Sequence, residues 1–120
     1  MKCLDTYALI EIALGNPKFS SLVNEECVIT DITIAEFYFV ILQKYNEKTA
    51  QFWYKKFESY CVPVSRDVLI KAVEFRSDNK KEELSFFDSV GYIFSLEGGY
   101  IFVTGDKAFK NRESVLFIQK

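Results

Sequence analysis

Tyr100–Val103 is an unbroken apolar run with no alternation of polar and apolar side chains. A run of this kind marks a strand buried on both faces, as happens in a parallel sheet covered by helices. It constrains the fold more than any other feature, because helices must then supply both covering layers. The rest of the chain provides the parts. Lys2–Leu4, Cys27–Thr30, Cys61–Val64 and Val115–Ile118 read as further short strands, with Pro63 suiting the third to a sheet edge or a strand end. Helical patterns fill the intervals between them. Strands alternating with helices indicate an α/β domain with a parallel β-sheet flanked by α-helices.

The helices are legible from apolar spacing. After Asp5, the residues Ala8, Leu9, Ile12 and Ala13 share one face, and Gly15-Asn16-Pro17 ends the pattern. Phe19–Val23 reads as one or two further turns. Thr33 to Tyr45 is the strongest helix, with Ile34, Phe37, Tyr38, Ile41, Leu42 and Tyr45 in one stripe and Phe39 and Val40 outside it. Such a helix is apolar almost all round, so it is expected to be buried on two sides or to dock a second chain. Lys48–Tyr60, Arg66–Arg76 and Ser85–Glu97 complete the set, the last ended by Gly98-Gly99, and Asp78–Glu83 is a charged loop. No repeat, linker or low-complexity segment divides the 120 residues, so residues 1–120 are read as one domain.

Composition removes several functions. The net charge of −2 gives no global field to attract nucleic acid, so a polyanion would need local basic patches or bound metal. No apolar run approaches a membrane span, and Met1–Asp5 does not resemble a secretory signal. Cys3, Cys27 and Cys61 have no paired spacing and read as buried free thiols of a protein in reducing cytoplasm. The absence of histidine excludes Ser-His-Asp and Cys-His nucleophiles and His-ligated zinc. Gly98-Gly99 and Gly105 form no phosphate-binding loop.

Four acids stand at strand-to-helix crossings: Asp5 after Lys2–Leu4, Glu36 after Val28–Thr30, Asp88 in Ser85–Glu97, and Asp106 after Tyr100–Thr104. Strand C-termini gather along one edge of an open α/β sheet, where ligands bind. Carboxylates meeting there repel unless a cation lies between them, and a hard ion such as Mg²⁺ or Mn²⁺ suits an all-oxygen site. The structural alternative is helix capping: Thr33 with Glu36 and Ser85 with Asp88 have the spacing of a capping box, and Asp5 and Asp106 suit caps or turns. Caps do not require an acid at every crossing, since Ser, Thr or Asn would serve. Asp31 reads as the N-cap of the second helix, Asp67 as a cap beside Ser65, and Glu11 as outward-facing. Glu25, Glu26, Glu47, Glu82 and Glu83 read as solvated. Metal-assisted hydrolysis is the reaction class these residues best support.

The motifs resemble the PIN-domain family and, within it, the VapC-type toxin ribonucleases. Cys3-Leu4-Asp5-Thr6 resembles the strand ending in Asp, Thr33-Ile34-Ala35-Glu36 the helix-start Glu motif, and Phe87-Asp88-Ser89 the central Asp motif. Ile101–Phe109, containing Thr104-Gly105-Asp106, resembles the terminal strand-Thr-x-Asp-x-x-Phe motif. The resemblance implies a Mg²⁺- or Mn²⁺-dependent endoribonuclease acting on single-stranded RNA, a homodimer, and neutralisation by a small antitoxin protein. It implies Asp5, Asp88 and Asp106 as metal ligands. Glu36 would ligate as well, or orient and deprotonate the attacking water. Thr6 and Thr104 would fix carboxylates or water. Lys107, Lys110 and Arg112 would hold RNA phosphates, or form a solvated basic turn.

Two competing readings share the same fold. One is a binding or scaffold domain that does not cleave, favoured by the lack of a further acid between Lys107 and Arg112, where Asn111 is the nearest polar substitute. The other is an RNA-processing nuclease without an antitoxin. A signalling domain of receiver type would need an adjacent acid pair after the first strand, which the chain lacks.

Overall fold

The computed structural model describes residues 1–119. Five strands form a wholly parallel sheet: β1 (Lys2–Leu4), β2 (Cys27–Thr30), β3 (Cys61–Val62), β4 (Ile101–Thr104) and β5 (Val115–Phe117), in the order β3-β2-β1-β4-β5. The connecting helices are α1 (Thr6–Ala13), α2 (Pro17–Ser20), α3 (Asp31–Lys44), α4 (Glu47–Phe57), α5 (Arg66–Asp78) and α6 (Phe86–Gly98). The α/β class and parallel sheet expected from the sequence are therefore present, and the strand bearing Pro63 nearby is an edge, shortened to Cys61–Val62.

Both faces of the sheet are covered. Leu4, Ile29 and Val103 pack with Ala8, Leu9 and Ile12 of α1, Phe37 and Ile41 of α3, and Phe57 of α4. Phe102, the neighbour of Val103, points the other way and meets Tyr92 of α6 and Phe109 edge-on. Adjacent residues of β4 thus serve opposite layers, as the strand's period of two requires. The apolar run explains itself at Phe102 and Val103, both fully buried, whereas Ile101 is 39% exposed.

Several local expectations change in the folded chain. Helix α3 begins at Asp31, because Thr30 is its cap: Thr30 Oγ1 accepts from the Thr33 amide at 3.0 Å. Strand β2 therefore passes into α3 without a loop, and neither Asp31 nor a Thr33–Glu36 box does the capping. Ser65, not Asp67, caps α5; Asp67 instead pairs with Lys71 one turn on, at 3.1 Å. Glu11 turns inward and accepts a 2.9 Å hydrogen bond from Asn16 Nδ2, so the loop after α1 covers it. Glu25 and Glu82 are ion-paired, with Lys2 and Arg112. Cys61 is half-buried, while Cys3 and Cys27 are buried free thiols as expected. Gly99 ends α6 in the left-handed conformation, φ 73°, its amide donating to Ser95 O.

Chain order sets the position of the site. From β1 the chain moves outward through β2 and β3, then returns to place β4 on the other side of β1. The crevice at the carboxyl ends of β1 and β4 is a topological switch point. Asp5 follows β1 there, and Asp106 follows β4.

Candidate active site

Asp5 divides its two carboxylate oxygens between different surroundings. Its Oδ1 caps α1, accepting from the Ala8 amide at 2.8 Å. Its Oδ2 is buried and has no hydrogen-bond partner. The residue is only 2% exposed. A carboxylate oxygen buried without a partner is costly unless a proton or a cation meets it. Burial raises the Asp5 carboxyl well above the ordinary carboxylate range, and Asp88 and Asp106 add to the rise. The Thr104 hydroxyl and the Ala8 amide act in the opposite direction without reversing it.

Asp88 lies in the first turn of α6, whose cap is Ser85: Ser85 Oγ accepts from the Asp88 amide at 3.0 Å. The Ser85–Asp88 capping geometry therefore exists, and it runs through the backbone amide of Asp88. Burial, then Glu36 and Asp106, push that carboxyl from 3.8 up to about 7. Asp106 caps a short 3₁₀ turn, Lys107–Phe109, by accepting from the Ala108 amide at 3.0 Å. Its own amide donates to Thr104 Oγ1 at 3.0 Å, which fixes the turn after β4. Glu36, on α3, accepts a hydrogen bond from the Thr6 hydroxyl.

Asp5, Glu36, Asp88 and Asp106, drawn from four separate elements, thus belong to one electrostatic group. Among the described residues, no three acidic or cysteine side chains close into a ready-made metal cage. The group is an acidic cluster at a sheet edge, spread more widely than a formed coordination sphere. Its donors are all oxygens, and the orphaned Asp5 Oδ2 supplies an unmet demand for positive charge. Both properties fit a hard divalent cation.

The basic residues divide. Arg112 is engaged within the protein: it pairs with Glu82, donates to Asn79 Oδ1 at 3.2 Å and stacks over the Phe75 ring at 4.8 Å. Lys110 lies over the Phe117 ring at 5.5 Å. Lys107 remains exposed on a cleft lined also by Asn79, Glu82, Asn111 and Arg112. Sequence reasoning gave these three one role, because their shared charge is visible in the chain and their different partners are not. It also gave no role to Tyr7, whose ring lies against Gly105 between Thr104 and Asp106. No local pattern signals that contact, since it joins residues far apart in sequence.

Comparison with known proteins agrees with this architecture. No curated protein is similar enough to count as a match. Among solved structures, a toxin–antitoxin complex from Klebsiella pneumoniae superposes with a TM-score of 0.77 at 17% identity, over 100% of both chains. VapC20 of Mycobacterium tuberculosis, described as a toxin that cleaves the sarcin–ricin loop, gives 0.79 at 13% identity over 100% of this chain and 98% of that one. VapBC2 of Rickettsia felis, bound to a DNA fragment of its promoter, gives 0.77 at 15% over 99% and 98%. At these identities the likeness concerns the fold. The model of the PIN domain matches residues 2–114, nearly the whole chain, and on that match the chain belongs to the PIN-domain family.

Proposed function

We propose that this protein is a divalent-metal-dependent endoribonuclease that cuts single-stranded RNA and serves as the toxin of a toxin–antitoxin pair. The observation that carries the reading is the cluster of Asp5, Glu36, Asp88 and Asp106, with Asp5 Oδ2 buried and unpartnered. Family membership and the toxin structures that share the fold support it.

Asp5, Asp88 and Asp106 are the residues that would hold Mg²⁺ or Mn²⁺. When bound, such ions supply Lewis acidity, which makes water a nucleophile near neutral pH and offsets charge on the reacting phosphate. The chain's own residues do the rest. The Ala8 amide holds one Asp5 oxygen, and the other, buried without a hydrogen-bond partner, would meet the ion. The Thr6 hydroxyl fixes the Glu36 carboxylate, which would orient the attacking water and accept its proton. Water oxygen bonds to phosphorus, the bond to the 3′-oxygen breaks, and the products carry 5′-phosphate and 3′-hydroxyl ends. Lys107, exposed on its cleft, would meet an RNA phosphate.

The partner surfaces follow from exposure. Phe39 on α3 and Phe52 on α4 are 61% and 53% exposed, and Leu42, Tyr45 and Tyr54 extend the same two helices' apolar surface. Ile34, Ala35, Tyr38 and Tyr54 line an apolar groove between α3 and α4. These surfaces suit an antitoxin and a second copy of the chain, because interface cores are enriched in aromatic residues. A non-cleaving scaffold is the second reading, favoured by the acid-free stretch Lys107–Arg112.

The test is cleavage of single-stranded RNA. With Mn²⁺ the protein should cut internally and leave 5′-phosphate ends; with chelator it should be silent. Cyclic phosphate ends, or cleavage that persists in chelator, would contradict the mechanism.

A further inference from the structure

Gly105 stands between the last residue of β4 and Asp106. Its φ lies outside the left-handed region, which among the chain's glycines is adopted by Gly15 and Gly99. Conformational freedom therefore does not explain this glycine. Space does. A methyl carbon at this position would lie 2.1 Å from Cε1 of Tyr7, 2.4 Å from its Cζ and 2.5 Å from its Cδ1. Contacts that short do not persist, so a side chain here must displace the ring or the turn.

The ring is half-buried and closed in on its inner side. Tyr7 packs against the main core, and its other neighbour, Phe19, is fully buried, with ring centroids 5.7 Å apart and planes tilted by 59°. Tyr7 follows Asp5 and Thr6 in the first turn of α1. Gly105 lies between Thr104 and Asp106. One contact therefore locks the turn that carries Asp5 onto the turn that carries Asp106. It acts beside the backbone bond from the Asp5 amide to Val103 O at 3.1 Å. That bond fixes the backbones at the end of the strands, and the ring fixes the turns beyond them.

We propose that Tyr7 and Gly105 are a positioning pair that sets the spacing of the Asp5 and Asp106 carboxylates for a shared divalent ion. The proposal rests on the metal-dependent reading of the same site. Tyr7 acts through its ring volume and Gly105 through its lack of a side chain.

Mn²⁺ affinity measured by calorimetry on the intact chain, with thermal unfolding as the control for folding, tests the pair. Gly105→Ala should weaken Mn²⁺ binding by about tenfold or more, since displacing either turn moves one carboxylate away from the other. Tyr7→Ala vacates the space, so Tyr7→Ala/Gly105→Ala should bind better than Gly105→Ala alone, a non-additivity that separate structural roles would not produce. Tyr7→Phe keeps the ring and should bind within about twofold of the unsubstituted chain, as expected of a role that does not use the hydroxyl. A folded Gly105→Ala protein with unchanged affinity would overturn the pair. If Gly105→Ala does not fold, Tyr7→Ala decides: weakened binding that Tyr7→Phe avoids supports the proposal, and unchanged binding overturns it. If the unsubstituted chain itself binds no Mn²⁺, the nuclease reading fails. The pair is then judged by the amide chemical shifts of Asp5 and Asp106. Movement in Gly105→Ala that reverses in the double variant upholds the lock, and stillness refutes it.

Discussion

Replacing Asp88 by asparagine should make the metal-free protein more stable at alkaline pH. In the folded chain the Asp88 carboxyl is pushed from 3.8 up to about 7 by burial, Glu36 and Asp106. Unfolded, it ionises near the ordinary value of about 3.9. Between about pH 4 and pH 7 the folded state keeps a proton that the unfolded state releases, so stability falls as pH rises through that window and levels off above it. At about 1.4 kcal/mol per pH unit of displacement, the full effect is on the order of 4 kcal/mol. Asparagine never ionises and so avoids this loss. It forfeits a favourable charge at the start of α6, worth up to about 1 kcal/mol, and leaves a buried amide imperfectly satisfied, at about 1 kcal/mol more. The Ser85 cap survives because it binds the backbone amide of residue 88. A net gain of about 2 kcal/mol at pH 8 remains, roughly 8 °C in Tm for a domain of this size. Thermal and urea unfolding in chelator, at pH 5 and pH 8, measure it. The advantage should be clear at pH 8 and shrink towards pH 4. An Asp88→Asn protein no more stable than the unsubstituted chain at pH 8 would refute the electrostatic account of the cluster.

Other substitutions separate positioning from packing. Thr6→Val removes the hydroxyl that holds Glu36 and should slow single-turnover RNA cleavage about tenfold for a stability cost near 1 kcal/mol, while Thr6→Ser keeps the rate. Arg112→Ala should cost about 2 kcal/mol in urea unfolding, because the guanidinium serves Glu82, Asn79 and Phe75 together, whereas Lys107→Ala should change stability by less than about 0.5 kcal/mol and weaken RNA binding instead. Gly91→Ala would set a methyl carbon 2.7 Å from the Phe102 ring, itself fully buried, and should destabilise by about 1–2 kcal/mol despite alanine's better helix propensity; equal stability would mean that α6 can shift freely from β4.

The sequence exposed the parts of this fold that depend on local pattern. Phe102 and Val103 announce a doubly covered strand because burial on both faces leaves no room for polar alternation. Gly98-Gly99 announces the end of α6 because Gly99 alone must adopt a positive φ there. Helix beginnings were less legible. Thr30 is both the last residue of β2 and the cap of α3; Thr suits either place, and Asp31 and the Thr33–Glu36 spacing offered competing cap positions just beyond it. Glu11 was misread because its spacing suits a solvent face, while the folded loop brings Asn16 over it. The acids were visible as candidates because they follow strands. Their choice between capping and ligation was not visible, and in Asp5 one oxygen caps α1 while the other is buried without a partner. The division among Lys107, Lys110 and Arg112 depends on Glu82, Phe75 and Phe117, partners that only the tertiary structure brings near.

Calorimetric titration of Mn²⁺ into the unsubstituted protein and into Asp5→Asn tests the central claim most directly. Asp5→Asn leaves the shape almost unchanged and removes the ionisable carboxyl whose Oδ2 atom lacks a partner. The account expects saturable binding to the unsubstituted chain and a loss of at least about tenfold in affinity for the variant, since an ion bound through carboxylates is sensitive to ligand charge. Equal heats and equal affinities for the two folded proteins would contradict it.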